Sequence, residues 1–211
     1  MIRLDIISDP ICPWCYIGKT RLDQALKEAG ETPFDIHWRP FQLNPDMPSE
    51  GMDRREYLEA KFGKDQATAF YGQIESTAKA SGLDVHFEKI EKTPNTIDAH
   101  RLLKWAESED CQNNVAMELF RRYFEEGQDI SDHAVLADAA EAAGMDREVI
   151  TRLLASDNDK ADVAAEDKSF REMGVQGVPC FIIGGKYVVN GAQEPALWAK
   201  VLKDLKEAAP A

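Results

Sequence analysis

The sequence predicts an α/β fold in which a strand–helix–strand unit and a strand–strand–helix unit are separated by an all-helical insertion. Three observations lead there. Apolar residues take strand spacing in the first forty residues, helical spacing from Gly51 to about Gly174, and strand spacing again beyond it. Pro- and Gly-rich turn signals mark both changes of period. Neither terminal unit can bury its apolar face alone, so the two must pair into one sheet.

Arg3 to Ile7 is β-branched and apolar, reads as the first strand, and stops at the turn signal Ser8-Asp9-Pro10. A helix follows from about Pro13 to Ala29. Ile17, Leu22, Ala25, Leu26 and Ala29 form its apolar stripe, and Gly30 sits just past its end. Phe34 to Arg39 alternates apolar and polar, the period of a strand with one better-buried face, and Pro40 ends it. A strand–helix–strand run of this length implies a parallel pair.

Pro40, Pro45, Pro48 and Gly51 mark a loop. In the helical block beyond it, the clearest stripes are Val115/Leu119/Phe120/Tyr123/Phe124 and Val149/Ile150/Leu153/Leu154. Gly127, Gly144 and Ser156-Asp157-Asn158 divide the block into separate helices, with Ser131 and Asp146 as expected N-caps. Then Val178 to Ile183, Gly184-Gly185 and Lys186 to Val189 read as a β-hairpin. A closing amphipathic helix has Pro195 in its first turn and Leu197, Trp198, Val201, Leu202 and Leu205 on one face.

Bulk properties narrow the function. The 38 acidic residues outnumber the 25 basic ones, for a net charge of −13. Such a surface repels phosphate backbones and anionic headgroups, so neither a nucleic acid nor a membrane is an expected partner. No window approaches the ~18 uninterrupted apolar residues of a membrane span. Asp5 and Asp9 interrupt the N-terminal apolar stretch, which lacks the pattern of an export signal and leaves the cytoplasm as the expected compartment. Four cysteines (Cys12, Cys15, Cys111, Cys180) are too few for a disulfide-stapled scaffold.

Cys12-Pro13-Trp14-Cys15 lies where the first strand hands over to the first helix. A helix start has unpaired N–H groups and the positive end of the macrodipole, which favour a thiolate, the attacking form of sulfur. Three-residue spacing brings the second sulfur within one turn, close enough for a disulfide. Pro13 fits because the first helical position needs no N–H. The chemistry expected is thiol–disulfide exchange, with Cys12 attacking and Cys15 resolving. Two other readings stay open here: half a zinc site, for which Cys111, Cys180, His37, His86, His100 and His133 supply no second motif, and a pair of bystander thiols. Val178-Pro179 leads into a strand, where proline needs a reason such as a turn, a bulge or a cis bond.

Several segments together carry a family resemblance. They are Cys12-Pro-Trp-Cys-Tyr-Ile-Gly18, Arg39-Pro-Phe-Gln-Leu-Asn-Pro45, Asn95-Thr96 with Ala99-His-Arg-Leu102, and Gly177-Val-Pro-Cys-Phe181 with Asn190-Gly-Ala-Gln193. Spanning nearly the whole chain, they resemble the DsbA branch of the thioredoxin superfamily, most closely its cytosolic FrnE-like group. The resemblance implies a thioredoxin-like fold, residues 1–42 and 166–211, interrupted by a helical insertion domain, residues 43–165. It implies a protein disulfide oxidoreductase in which Pro179 is cis beside the CxxC motif and Val178 offers backbone hydrogen bonds to substrate. It places the Asn95–Leu102 helix over the active-site face, where His100 is a candidate to tune Cys12 or touch substrate. The alternative for a lone helical His is a structural or solvated residue. Pro13 and an exposed Trp14 are further candidate substrate contacts.

One position departs from the family pattern: Cys180 stands where an aromatic residue is common. It reads either as a small buried hydrophobe or as a third exchangeable thiol. No bound cofactor is expected, with glutathione a candidate redox partner alongside protein or small-molecule thiols and disulfides. Exposed helical faces are compatible with a homodimer. Two rival functions share the architecture. The kappa-class glutathione transferases and 2-hydroxychromene-2-carboxylate isomerases have Ser-Pro-Tyr-Ser at the N-terminal motif, and a serine there hydrogen-bonds a glutathione thiolate but cannot form a disulfide with it. The third reading is a chaperone-like binding module that uses the groove beside Pro179 without the cysteines.

Overall fold

The computed structural model describes residues 1–208, without the side chains of 64–67 and 208; the last three residues of the expected C-terminal segment, 209–211, lie outside the described residues. The first unit is β1 (Ile2–Ser8), α1 (Pro13–Ala29) and β2 (Phe34–Pro40). The last is β5 (Cys180–Ile183), β6 (Tyr187–Asn190) and α9 (Pro195–Ala208). They join in a four-stranded sheet of order β2-β1-β5-β6, with β1 parallel to β2 and antiparallel to β5. β1 is thus an interior strand covered on both faces, and Leu4 to Ser8 are all buried. Leu4 and Ile6 face the main core, whereas Ile7 joins a second cluster with Phe41, Phe170 and Cys180.

α1 has the bounds its end signals predict. Pro13 opens it, and Gly30 closes it at φ +67° with its N–H on the Lys27 carbonyl. Its stripe is buried through Leu26, but Ala29 is exposed, on the rim of a shallow cleft shared with Ala199 and Leu202 of α9. The hairpin turns through Gly184 (φ +58°) and Gly185 (φ +66°), a backbone region that glycine enters without strain. Trp198 of α9 is fully buried, its ring edge-on to Phe181 at 4.9 Å.

Between the two units run α2 (Arg54–Phe62), α3 (Lys64–Ala80), α4 (Ile97–Glu107), α5 (Gln112–Phe124), α6 (His133–Ala142), α7 (Arg147–Leu154) and α8 (Lys160–Glu172). A two-residue ladder, β3 (Met52–Asp53) with β4 (Lys92–Thr93), ties the start of this block to its middle. Such short strands carry no periodic signal, so the block is not purely helical as expected. α8 runs unbroken through the boundary expected at 165/166, and its Phe170 packs under Ile7.

Other details also differ. α6 is capped by Asp132, whose carboxylate accepts the Ala134 N–H at 2.8 Å; Ser131 instead donates its hydroxyl to Asp129. Asp146 does cap α7, through the Val149 N–H. α7 buries Ile150 and Leu154 but leaves Val149 37% exposed, so its contact stripe is narrower than its apolar one.

The helical block grips the first unit at several places, two of them through α5. Gln112 of α5 reads the β2 edge, accepting from the Trp38 N–H at 2.7 Å and donating to the Trp38 carbonyl at 3.1 Å. Phe120 and Phe124 stack on Tyr16 of α1 at 5.1 and 6.1 Å. Trp198→Ala is expected to cost about 3–5 kcal/mol of stability, as for large-to-small changes in a full core. Urea unfolding measures it, and a loss under 1 kcal/mol would contradict the anchoring role of α9.

Candidate active site

Cys12 is the N-cap residue of α1, in extended conformation, and no side chain caps the helix. No acidic residue occupies the first turn, so the positive end of the helix faces the Cys12 sulfur without competition. Cys15 lies one turn on, with its N–H on the Cys12 carbonyl at 3.0 Å. Both are free thiols, 4% and 1% exposed respectively. Burial first, and then the adjacent Cys12 sulfur, push the Cys15 thiol well above its ordinary pKa; the Ser8 hydroxyl and the Asp9 N–H act the other way. Pro13 and Trp14 between them are half-buried. Trp14 is therefore not the exposed indole expected, because its ring packs against the main core.

The β1–β5 pairing carries the Val178–Pro179 loop to the cysteines. The Val178–Pro179 peptide is cis. The Cys12 thiol donates to the Val178 carbonyl at 3.6 Å. Gly18, one turn beyond Cys15, makes this approach possible: a Cβ there would stand 3.1 Å from Pro179 Cγ and 3.3 Å from Ala192 Cα. Gly18 is a positioning residue whose role no local sequence signal discloses. Cys180 points into the cluster of Ile7, Phe41 and Phe170, whereas Cys12 and Cys15 belong to the main core, so it packs as a small hydrophobe.

His100 lies on α4, fully buried rather than solvated. Its Nε2 is 3.7 Å from Asp9 Oδ1, too long for a hydrogen bond. Asp9, read from sequence only as part of a turn, is wholly buried. Its carboxyl accepts the Leu43 N–H at 2.7 Å and the Ile11 N–H at 3.4 Å, with the Thr96 side chain against it. Its backbone carbonyl accepts the Cys12 N–H at 2.9 Å. Burial raises the Asp9 pKa to about 7 and lowers that of His100 to about 3, so the pair is uncharged between about pH 3 and pH 7.

Among the described residues, no group of three or more His, Cys, Asp or Glu is placed to hold a metal ion. A cleft of about 960 Å³ opens in the helical block beside Arg54, Tyr71 and Phe87, and neither cysteine lines it. No helix among the described residues is long and apolar enough to cross a membrane.

The buried pair makes a pH prediction. Asp9, raised when folded, adds stability that is lost as pH rises from about 4 to about 7. His100, lowered when folded, adds stability that is lost as pH falls from about 6.5 to about 3. Over the shared window the two offset. In Asp9→Asn the His100 contribution stands alone, and urea-derived stability should climb more steeply with pH than in wild type, by up to about 1.4 kcal/mol per pH unit. Parallel profiles for the two proteins would rule out the raised Asp9 pKa.

A family model described as a DSBA-like thioredoxin domain matches residues 3–203. The Bacillus subtilis (strain 168) protein YwbO is 25% identical over 210 residues, 96% of each chain. A structure described as a "probable DsbA oxidoreductase" from Streptomyces coelicolor superposes with a TM-score of 0.89 at 28% identity, over 100% of this chain and 92% of that one. A 2-hydroxychromene-2-carboxylate isomerase matches with a TM-score of 0.74 at 15% identity, over 97% of this chain and 96% of its own. The cytosolic disulfide reductase DsbM of Pseudomonas aeruginosa matches with a TM-score of 0.70 at 18% identity, over 98% and 100% of the two chains. DsbM has also been solved with glutathione, where the match is 0.64 at 17% identity, over 97% and 99%. At these identities the isomerase and DsbM speak for the fold alone. The family match runs through both half-sheets and the helices between them, and the chain belongs to the DSBA-like thioredoxin domain family.

Proposed function

We propose that this protein is a thiol–disulfide oxidoreductase of the cytoplasm, of the FrnE-like kind, exchanging disulfides with protein or small-thiol substrates through Cys12 and Cys15. The observation that carries this is the Cys12 sulfur at the uncapped start of α1, 3.6 Å from the Val178 carbonyl, with Cys15 one turn behind it. In the oxidising direction, a substrate thiolate attacks Cys12 of the Cys12–Cys15 disulfide and expels Cys15. A second substrate thiol then attacks the mixed disulfide, releasing Cys12 and an oxidised substrate. In the reducing direction, the Cys12 thiolate attacks a substrate disulfide and expels one sulfur. Cys15 then attacks Cys12, expels the other, and leaves the protein oxidised. Glutathione serves either direction as a small-thiol partner.

Val178 and Pro179 border the Cys12 sulfur, and the Val178 N–H makes no backbone hydrogen bond among the described residues, leaving it available to an extended substrate. Trp14 and Pro13 supply the apolar border on the other side. His100 lies behind the loop, buried against Asp9, and takes part as a wall of the site rather than by touching substrate.

Three outcomes distinguish this reading from its rivals. Wild type should catalyse insulin-disulfide reduction or dithiol oxidation, and Cys12→Ser should fall to background, about a hundredfold or more below it. Equal background activity in both would favour the chaperone-like module. Isomerase or transferase turnover that survives Cys12→Ser would favour the glutathione-dependent reading. Cys15→Ser should accumulate mixed disulfides on Cys12 under oxidising conditions, read by mass spectrometry. If no partner or glutathione adduct forms there, the assigned order of attack is wrong.

A further inference from the structure

Four lysine or arginine side chains are buried among the described residues: Lys19, Arg21, Arg54 and Arg101. Three of them have a carboxylate. Lys19 pairs with Asp23 at 2.6 Å, Arg21 with Glu194 at 2.8 Å and Arg101 with Asp98 at 2.7 Å. Arg101 also directs its other nitrogens at the carbonyls of Leu153, Ser156 and Asn158. Arg54, at the start of α2 and 8% exposed, differs. Its one side-chain hydrogen bond to a described residue runs from Nη1 to the Tyr123 hydroxyl at 3.3 Å, and no described carboxylate pairs with it. Its guanidinium lies 4.8 Å from the centre of the Tyr71 ring and 5.8 Å from that of Phe87. The rings attract the cation but do not offer the paired oxygens that its planar fork fits. A buried charge without a counter-ion is costly, and a ligand anion removes that cost.

Arg54 lines the cleft of about 960 Å³ between α2, α3 and residues 87–91. Its Nε and Nη2 are not enclosed atoms, so a molecule in that cleft can reach them. Beside Arg54 the walls are Leu58, Tyr71, Phe87 and Ile90, and the space suits a few residues of peptide better than a single ion. The exposed part of the lining is mainly acidic, with Asp53, Glu59, Glu88 and Glu91 against one exposed cation, Arg55. Such a rim repels polyanions and attracts lysine and arginine side chains. The floor thus takes one negative charge, the walls an apolar group and the rim positive ones.

We propose that this cleft is a peptide-binding site for the C-terminal end of a basic chain. The terminal carboxylate sits on Arg54, an apolar last side chain packs against Leu58 and Ile90, and preceding basic side chains lie along the acidic rim. A chain end can enter a floor backed by the buried Tyr123, because nothing continues beyond its carboxylate. Neither cysteine lines the cleft, so the site stands apart from the exchange chemistry and does not rest on it.

The experiment is isothermal titration of the full chain with three N-acetylated tetrapeptides. They are Lys-Ala-Lys-Leu with a free C-terminus, the same peptide as its C-terminal amide, and Glu-Ala-Glu-Leu with a free C-terminus. The first should bind, and each of the others should bind about tenfold or more weakly. In Arg54→Gln the acid and the amide should bind alike, whereas an arginine that serves only the fold would leave the preference for the acid intact. Arg54→Gln removes a buried contact, so the exposed pair Glu59→Gln with Glu91→Gln tests the site without touching the core. In that variant the Lys peptide should weaken and its advantage over the Glu peptide should shrink. Absence of binding by the Lys peptide at millimolar concentration, or equal binding of acid and amide by wild type, would overturn the proposal. So would an acid preference that survives Arg54→Gln, or rim variants that bind all three peptides as wild type does.

Discussion

The site depends on one close approach, that of the Val178–Pro179 loop to the first two turns of α1. Cys12 and Val178 are 166 positions apart, yet the thiol of one meets the carbonyl of the other. Closing so long a loop costs conformational entropy. The return comes from pairing β1 with β5 in register from Leu4↔Ile183 to Ile7↔Cys180, and from packing Trp198 on Phe181 behind it. Gly18 sets how near the loop comes, because any side chain there would press on Pro179. Fold and site are thus one construction: the sheet that buries the core also brings the two halves of the site together.

Three ionisable groups beside that contact are enclosed. Cys15, Asp9 and His100 are all buried, and in each the low-dielectric surroundings disfavour the charged form. The helical block takes part through Leu43, Thr96 and His100, which surround the Asp9 carboxyl, and through Phe120 and Phe124, which stack on Tyr16 next to Cys15. The insertion is therefore a structural wall of the CxxC turn.

Elements with strong local signals were legible in the sequence. The ends of α1 follow from Pro13 and Gly30, the hairpin from Gly184-Gly185, and α5 from its five-residue apolar stripe. Features decided by distant partners were not legible. β3 and β4 are two residues each and exist because Gly51 lets the chain pass close to Thr93. Val149 looks as apolar as Ile150, yet only one of them meets the core. At the site, the CxxC spacing and Val178-Pro179 were visible as patterns. Asp9 and Gly18 were not, since an aspartate before a proline reads as an ordinary turn until the helical block covers it.

The central claim is that Cys12 and Cys15 form one reversible disulfide while the other two cysteines stay apart. Equilibrating the protein in glutathione buffers of graded potential, trapping the free thiols and mapping each cysteine by mass spectrometry tests this directly. The account predicts that Cys12 and Cys15 oxidise together as a two-electron couple, about 30 mV per tenfold change in ratio, with Cys111 and Cys180 outside it. Cys12 and Cys15 that remain thiols throughout, or that take up glutathione separately without joining, would contradict it.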